Sequence, residues 1–284
     1  MTVEAYAKVN LTLEVFGKRS DGYHALRSVV LPVSLSDTLT IEATGDGTLA
    51  SDTGYPDDLC LKAARALDPA RGARISVVKR IPAGGGLGGG SADAAATLLA
   101  LNELWGLGKG REELAAVGAR VGSDVPALVL GGPVLMEGRG EKGSRLGIGR
   151  EAKDGRLGRL NLVLVNPGVF SSTAEVYSRC SPRLPSDALI VYNMQHALEC
   201  GDLKGIAAGL MNDLQEPAVK LHPEIREALE ALKAAGAEGV LMSGSGSTVF
   251  GLVPSESRGR EIAAALAARG LWARAVHAQD CPVV

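Results

Sequence analysis

The stretch Pro82-Ala-Gly-Gly-Gly-Leu-Gly-Gly-Gly-Ser91 carries six glycines and lies between two apolar segments. Residues 75–81, before it, are rich in β-branched side chains and typical of a strand. Residues 94–107, after it, are rich in alanine and leucine and predict a helix with Ser91 as its N-cap. A side-chain-free loop at a helix N-terminus lets backbone N–H groups approach phosphate oxygens. The stretch therefore predicts a site for nucleotide phosphates.

Other glycine motifs fit this loop less well. A P-loop requires a lysine after its last glycine, whereas Ser91 and Ala92 follow here. A G-x-G-x-x-G match begins at Gly84, but a dinucleotide-binding fold also needs an acidic residue about 20 residues further on, after a second strand. That distance falls on Glu112, in a polar and helix-like segment. A flexible linker is the remaining alternative, and the strand-to-helix junction argues against it.

The composition is ordinary for a globular protein and excludes several classes of partner. The 284 residues suffice for one large domain or two modest ones, with 46% hydrophobic and 22% charged side chains. The net charge of −2 offers no basic excess for neutralising a phosphate backbone, so no nucleic acid partner is expected. No apolar run reaches the length of a membrane span, so no membrane partner is expected either.

Cysteine spacing and the N-terminus indicate a cytoplasmic protein. The first ten residues lack the charged and apolar regions of a signal peptide. The four cysteines are widely spaced, form no C-x-x-C pair and are expected to be reduced thiols without a zinc site. They are Cys60, Cys180, Cys200 and Cys281.

The first strand shows clean alternation of apolar and polar residues from residue 5 to residue 15. Period-two alternation places the aliphatic side chains on the core face and Tyr6, Lys8 and Asn10 on the other face. A solvated outer face is the simplest interpretation of those polar residues. A lysine and an asparagine side by side, near the start of a nucleotide-binding fold, indicate a functional alternative.

Two further polar groups stand at turns. Residues 17–24 form a turn-rich loop that ends in Tyr23 and His24, which provide a ring for stacking and an imidazole for hydrogen bonding. Asp124 comes just before the apolar run 127–130, where a helix cap and a functional carboxylate are equally plausible on local grounds.

The remaining pattern predicts two α+β halves. Strands are expected at 26–33 and 38–43, helices at 57–67 and 111–121, and a strand at 134–136. The glycine-rich, charged stretch 137–159 is interpreted as a mobile connection, with domains at 1–155 and 156–284. The second half is expected to hold an antiparallel sheet, a second glycine loop at 243–248, and helices at 186–199, 202–211, 223–235 and 256–269.

Several separated motifs together resemble the galactokinase, homoserine kinase, mevalonate kinase and phosphomevalonate kinase (GHMP) superfamily of small-molecule kinases. They are Ala5-Tyr-Ala-Lys-Val-Asn-Leu, Arg19-Ser-Asp-Gly-Tyr-His, the 82–91 loop, Gly122-Ser-Asp-Val-Pro, Asn212-Asp-Leu and Met242-Ser-Gly-Ser-Gly-Ser. The resemblance spans almost the whole chain. It is strongest to the branch whose alcohol substrate carries a cytidyl diphosphate group and which serves non-mevalonate isoprenoid synthesis. It implies a ribosomal-protein-S5-like N-terminal domain and a ferredoxin-like C-terminal antiparallel sheet with helices.

The resemblance also implies a role for each site residue. ATP and Mg²⁺ would be the cofactors, Lys8 and Asp124 the catalytic pair, and Ser91 a metal ligand. The ATP phosphates would be bound by Ala83, Gly84, Gly85, Gly86, Leu87, Gly88, Gly89, Gly90, Ser91, Ala92 and Asp93. The cytidyl diphosphate substrate would be bound by Asn10, Tyr23, His24, Thr173, Tyr177 and Gly244. A monomer or a weak homodimer is expected.

This chain departs from the superfamily pattern at four positions. Ser91-Ala92-Asp93 stands where Ser-Ser-Asn is common, Asp58 replaces a helix asparagine near the adenine pocket, and Gln215 replaces a glutamate. Three alternatives stay open: another kinase of the superfamily acting on homoserine, mevalonate or a sugar, a non-catalytic nucleotide-binding module, and a dinucleotide-dependent dehydrogenase. A base-stacking aromatic pair discriminates against the first, because those substrates carry no base.

Overall fold

The computed structural model describes residues 1–20, 22, 24–146, 160–183 and 189–279. The strands are β1 (Thr2–Lys18), β2 (His24–Thr44), β3 (Leu49–Ser51), β4 (Gly72–Val78), β5 (Val134–Gly138), β6 (Lys142–Arg145), β7 (Asn161–Asn166), β8 (Met211–Asn212), β9 (Val240–Met242), β10 (Val249–Val253) and β11 (Trp272–His277). The helices are α1 (Leu59–Leu67), α2 (Gly89–Leu104), α3 (Arg111–Gly118), α4 (Val125–Leu130), α5 (Thr173–Ser178), α6 (Leu189–Cys200), α7 (Leu203–Gly209), α8 (Gln215–Leu221), α9 (Pro223–Ala234) and α10 (Glu256–Ala268).

Two sheets organise these elements, which confirms the predicted α+β fold class. The first sheet runs β3-β4-β2-β1-β8, and the hairpin β5-β6 joins it through β2. The second sheet runs β11-β7-β10-β9 and is antiparallel throughout. Helix α2 packs against β1 and β2, while α9 and α10 pack against the second sheet.

The polar face of β1 is buried, so its alternation does not mark a solvated surface. Lys8 is 3% exposed and Asn10 is 4% exposed, and Thr12 and Glu14 are fully buried on the same face. The short strand β8 pairs in parallel with Thr12 and Leu13, so the second half of the chain covers this region. A buried lysine needs partners for its charge, so polar or charged groups must lie near Lys8 on this face of β1.

The two strands predicted at 26–33 and 38–43 are one continuous strand, β2. Its partner β1 pairs with it up to Pro32 and again from Ser36, and the register shifts between Tyr6 and Lys8. The extra residues of β2 are absorbed there as a β-bulge. The same strand then pairs with β5 at one end and with β4 at the other.

Helix α2 begins earlier than the sequence predicts, and Ser91 is not its N-cap. The N-cap is Gly88, whose φ of +69° lies in the left-handed region, and its carbonyl oxygen accepts a hydrogen bond from the Ala92 N–H at 2.8 Å. A glycine adopts this conformation at little cost, so the helix starts inside the glycine stretch. Ser91 therefore lies in the first helical turn, close to the loop.

The stretch 137–159 is partly structured. Its first residues form the hairpin of β5 and β6, because residues 134–137 pair with 142–145. Residues 147–159 lie outside the described part of the chain, and the domain boundary at 155 stays a prediction. The two halves interlock, since β8 joins the first sheet and residues of α6 and α7 share a hydrophobic core with it.

The short elements β3, β8 and α8 were not predicted from the sequence, and Met211 of β8 was expected to end a helix. Cys60, Cys180 and Cys200 are free thiols, and Cys281 lies outside the described residues. Within the described ranges, no helix is both long enough and apolar enough to cross a membrane.

Candidate active site

A cavity of about 1100 Å³ lies where the glycine stretch, β1 and the second glycine loop meet. It brings together most of the residues selected from the sequence. Those that line it are Lys8, Asn10, His24, Ala83, Gly84, Gly85, Gly86, Leu87, Gly88, Gly89, Gly90, Ser91, Asp93, Asp124, Thr173, Tyr177 and Gly244. Among the selected residues that the structure describes, Ala92 is the exception, because it is 2% exposed and packs in the hydrophobic core.

The glycine stretch is fixed to the strand that carries Lys8. The backbone N–H of Lys8 donates to the Leu87 carbonyl oxygen at 3.0 Å, and the Leu87 side chain is buried. A Cβ placed at Gly88 would lie 3.1 Å from the Lys8 side chain, so the loop backbone lies directly against the lysine. Glycine is required there both for this close approach and for the positive φ.

Lys8 and Asp124 form an ion pair at the floor of the cavity. The Lys8 Nζ atom lies 3.4 Å from Asp124 Oδ2, and the aspartate side chain is 31% exposed. Lys8 Nζ also donates to Asn10 Oδ1 at 2.7 Å and to the Gly86 carbonyl oxygen at 3.0 Å. The buried ammonium is thereby satisfied while the carboxylate keeps an open side toward the cavity.

Asp124 occupies the N-cap position of α4, yet its side chain makes no capping hydrogen bond. Backbone contacts and the proline at the start of α4 define this helix end instead. The Asp124 side chain therefore does not cap the helix, which was the structural alternative left open by the sequence. Its carboxylate is available to contact a substrate.

Both polar ends of the Asn10 side chain are engaged inside the protein. Its oxygen accepts from Lys8 Nζ, and its nitrogen donates to Ser28 Oγ at 2.8 Å. Ser28 Oγ in turn donates to the Thr12 carbonyl oxygen. Contact between Asn10 and the alcohol portion of the substrate stays a prediction; in this structure Asn10 orients Lys8.

The second glycine loop closes against the first. Ser243 Oγ donates to the Gly86 carbonyl oxygen at 2.9 Å, and the Thr248 N–H donates to the Gly85 carbonyl oxygen at 3.0 Å. A Cβ at Gly244 would lie 3.2 Å from Lys8 Nζ. The two loops thus form one wall of the cavity around the lysine.

An aromatic pair lines another part of the cavity. The rings of His24 and Tyr177 stack with their centroids 5.6 Å apart and their planes inclined by 30°. Burial, together with the negative charge of Asp124, raises the pKa of the Tyr177 phenol, so this group stays neutral. Thr173 Oγ1 lies 2.9 Å from Ser245 Oγ, which joins the start of α5 to the second glycine loop. Tyr23, the predicted stacking partner, lies outside the described residues.

The family of the chain follows from comparison with known proteins. The model of the GHMP kinase N-terminal domain matches residues 58–132, and that of the C-terminal domain matches residues 194–270. A 4-diphosphocytidyl-2-C-methyl-D-erythritol kinase from Brevibacillus brevis is 38% identical over 276 residues, covering 94% of this chain and 92% of that protein. The chain belongs to the 4-diphosphocytidyl-2-C-methyl-D-erythritol kinase family of GHMP kinases. The kinase of Pelotomaculum thermopropionicum is 41% identical, with 93% of each chain covered.

Solved structures agree with membership of this kinase family. A crystal structure of a 4-(cytidine 5'-diphospho)-2C-methyl-D-erythritol kinase superposes with a TM-score of 0.79 at 36% identity and covers 99% of each chain. Homoserine kinase from Cytophaga hutchinsonii gives a TM-score of 0.75 at 18% identity, covering all of this chain and 96% of its own. At that identity the second match shows a shared fold alone.

The departure at Asp58 has a structural explanation in this family member. Asp58 is the N-cap of α1, and its Oδ1 atom accepts from the backbone N–H groups of Cys60 at 2.7 Å and Leu61 at 3.2 Å. Its other oxygen accepts from Thr53 Oγ1 at 2.5 Å. Aspartate and asparagine cap helices equally well, so this role tolerates the exchange.

Sequence analysis missed a buried charge cluster beside the glycine stretch. Lys79 Nζ donates to Asp37 Oδ2 at 2.5 Å and to Asp93 Oδ2 at 2.6 Å, and Asp37 is fully buried. Asp37 also accepts from the backbone N–H groups of Arg80 and Ile81. The three side chains come from β2, the end of β4 and α2, so no local pattern could reveal the cluster. It holds the start of α2 against the sheet.

The Asp93 carboxyl is the member of this cluster whose charged form is least well stabilised. Burial raises the pKa of Asp93 to about 7, although attraction to Lys79 opposes that shift. Its Oδ1 atom is buried and has no hydrogen-bond partner. Because the pKa in the folded state exceeds that in the unfolded chain, the carboxyl favours folding at low pH, and this contribution is lost as the pH rises from about 4 to about 7.

Asp93→Asn is therefore expected to flatten the dependence of stability on pH. The melting temperature of the variant, relative to wild type, should rise between pH 5 and pH 8, because the amide has no proton to lose. Asp58→Asn is a matched control. Burial tends to raise the pKa of Asp58, but hydrogen bonds outweigh it and hold the pKa below its usual value, so the effect of this substitution is constant over that range. A constant difference for Asp93→Asn would show that this carboxyl does not titrate near neutrality.

The cavity offers oxygen ligands suited to a Mg²⁺ ion that arrives with ATP. No group of three or more His, Cys, Asp or Glu side chains able to hold a metal occurs among the residues that the structure describes. Mg²⁺ bound to nucleotides needs only one or two protein ligands beside phosphate oxygens and water. The Ser91 hydroxyl lines the cavity and is an oxygen donor, so it fits this kind of ion.

Proposed function

We propose that this chain is an ATP-dependent kinase that phosphorylates the 2-hydroxyl of 4-diphosphocytidyl-2-C-methyl-D-erythritol, a step toward isoprenoid precursors by the non-mevalonate route. One observation carries the proposal. The Lys8–Asp124 ion pair lies in the same cavity as the glycine stretch and the stacked His24–Tyr177 pair. A phosphate-binding loop, a carboxylate and a base-binding pair are the parts that this reaction requires.

In the proposed reaction, the bond between the γ-phosphorus of ATP and its bridging oxygen breaks as a bond forms to the 2-hydroxyl oxygen. Asp124 orients this hydroxyl and accepts its proton. Lys8 and the backbone N–H groups of the glycine stretch stabilise the phosphoryl oxygens. Bond formation to the nucleophile is slight in a loose transition state, so positioning and charge neutralisation supply most of the catalysis.

We propose Mg²⁺ as the metal cofactor, with Ser91 as a ligand. Held by the Ser91 hydroxyl, the ion would neutralise part of the negative charge of the ATP phosphates. We further propose that the protein is cytoplasmic, in line with the free thiols of Cys60, Cys180 and Cys200, and that it acts as a monomer or a weak homodimer.

A kinase acting on homoserine or mevalonate is the second candidate, supported by the fold shared with homoserine kinase. The test is ATP consumption measured side by side with the cytidyl-erythritol substrate, homoserine and mevalonate. Turnover with the cytidyl substrate alone supports the proposal. Faster turnover with homoserine or mevalonate would favour the second candidate, and no turnover with any acceptor would indicate a binding module.

Removing the ring of Tyr177 is expected to weaken binding of the cytidyl substrate selectively. Base–aromatic stacking contributes about 1–3 kcal/mol, so Tyr177→Ala should raise the KM for this substrate roughly 10- to 100-fold. The KM for ATP should change little. Tyr177→Phe keeps the ring and serves as the control. Equal increases in both KM values would show that Tyr177 does not contact the cytosine.

A further inference from the structure

The motif Asn212-Asp213-Leu214, followed by Gln215, has no role in the reaction described above. It spans β8 and the start of α8. The Asp213 N–H donates to the Leu13 carbonyl oxygen at 3.0 Å, and Asp213 Oδ2 accepts from the Val15 N–H at 2.9 Å. The motif is therefore attached to β1, the strand that carries Lys8.

Two amide side chains of the motif hold the second glycine loop on both sides. Asn212 Nδ2 donates to the carbonyl oxygens of Met242 and Gly244, both at 2.8 Å, while Asn212 Oδ1 accepts from the Leu214 N–H at 2.9 Å. Gln215 Oε1 accepts from the Met242 N–H at 2.9 Å. The backbone on either side of Ser243 is fixed by these bonds.

Ser243 connects the second glycine loop to the first by hydrogen bonds. The side chain is fully buried, donates to the Gly86 carbonyl oxygen at 2.9 Å and accepts from the Asn10 N–H at 3.4 Å. The Gly86 carbonyl oxygen also accepts from Lys8 Nζ at 3.0 Å. A carbonyl oxygen has two lone pairs, so the serine and the lysine together use both.

The position of Lys8 depends on this carbonyl group. Its bonds to Asn10 and Gly86 are shorter than its 3.4 Å contact with Asp124, so they hold the ammonium beside the carboxylate without a tight charge-assisted bond. If the Gly86 carbonyl group turned away, the ammonium would lose one of its two short contacts. It would then move toward Asp124 or toward solvent.

We propose that Asn212 and Gln215 are positioning residues for phosphoryl transfer, which act through Ser243 and the Gly86 carbonyl group to fix Lys8. The proposal rests on the proposed kinase function. The proposal also explains why glutamine can replace glutamate at position 215. The Met242 N–H requires an acceptor oxygen, and either side chain supplies one.

The first test compares kinetic constants. Asn212→Ala and Gln215→Met are each expected to lower kcat by roughly 10- to 100-fold, because small misplacements of catalytic groups are costly, with both KM values changed by at most about threefold. Gln215→Glu keeps the acceptor and should retain kcat near the wild-type value. Asn102→Ala is the matched control, since the Asn102 side chain, near the end of α2 and outside the cavity, likewise bonds backbone groups, here those of Lys109.

The second test asks whether the effect passes through Lys8. In a Lys8→Met background, Asn212→Ala should lower the residual kcat by no more than about threefold, whereas a merely structural residue would add its full effect. Acylation of the Lys8 amine, followed by mass spectrometry, provides a measure that does not depend on turnover. It should be faster in Asn212→Ala and unchanged in Asn102→Ala.

These results separate the inference from the proposed function. Absence of turnover in the wild-type protein would contradict the kinase proposal, and the acylation rates would still test the positioning of Lys8. If Asn212→Ala does not fold, the Gln215→Met and Gln215→Glu pair decides the question. Unchanged kcat and unchanged Lys8 acylation in the variants would overturn the positioning role.

Discussion

Asp124→Asn is expected to lower kcat by roughly 10²- to 10⁴-fold, the usual contribution of a general base. The amide fits the same space beside Lys8 but cannot accept the hydroxyl proton. It also removes the negative charge that balances the buried ammonium 3.4 Å away. Binding of ATP should persist within about twofold, because the lost interaction belongs to the transition state.

The control for this substitution is Asp202→Asn. Asp202 also occupies a helix N-cap, where its side chain accepts from the Lys204 N–H, and asparagine performs that role equally well. Steady-state kinetics and ATP titration of both variants provide the comparison. Near-normal turnover of Asp124→Asn would mean that this carboxylate only balances the charge of Lys8.

Gly86→Ala is expected to have the second large effect, because this glycine lies where the two glycine loops touch. A Cβ at Gly86 would lie 2.2 Å from the Ser243 carbonyl oxygen and 3.0 Å from the backbone nitrogen of Gly246. Both contacts are with backbone atoms, so the loops must separate. Displacement by about 1 Å of a group that holds Lys8 should lower kcat/KM for ATP roughly 100-fold.

Gly108→Ala separates this clash from backbone strain. Gly108 has a φ of +64°, close to the +73° of Gly86, but no atom lies within 4 Å of its Cβ position. The control should lose about 1–2 kcal/mol of stability through the left-handed conformation alone and keep its activity. Equal losses of activity in the two variants would show that contact between the loops is not needed.

The local parts of the site were predictable from sequence because each is encoded within one short segment. A run of glycines between a strand and a helix predicts a loop at a helix N-terminus, and the motif around Asp124 predicts a turn before an apolar helix; the structure has both. The start of α2 was misplaced because its N-cap is Gly88 in a left-handed conformation, and not the serine that propensity favours.

The contacts that assemble the site could not be predicted from local pattern. Ser243 and Gly86 are 157 residues apart, and the Lys79 cluster draws on three separate elements. Likewise, β2 is continuous because β1, β4 and β5 pair with successive parts of it. In each case the interaction joins segments that are far apart in the chain. The sequence around each residue does not show which distant residue it contacts.

In the proposed reaction, this cavity transfers the γ-phosphoryl group of ATP to the 2-hydroxyl of the cytidyl-erythritol substrate. The most direct measurement is a single-turnover reaction with ATP labelled at the γ-phosphate, followed by analysis of where the label resides. The label should appear in a phosphomonoester at the 2-position of the intact cytidyl substrate, and Asp124→Asn should abolish this transfer. Label that appears only in inorganic phosphate, or at another position of the substrate, would contradict this proposal.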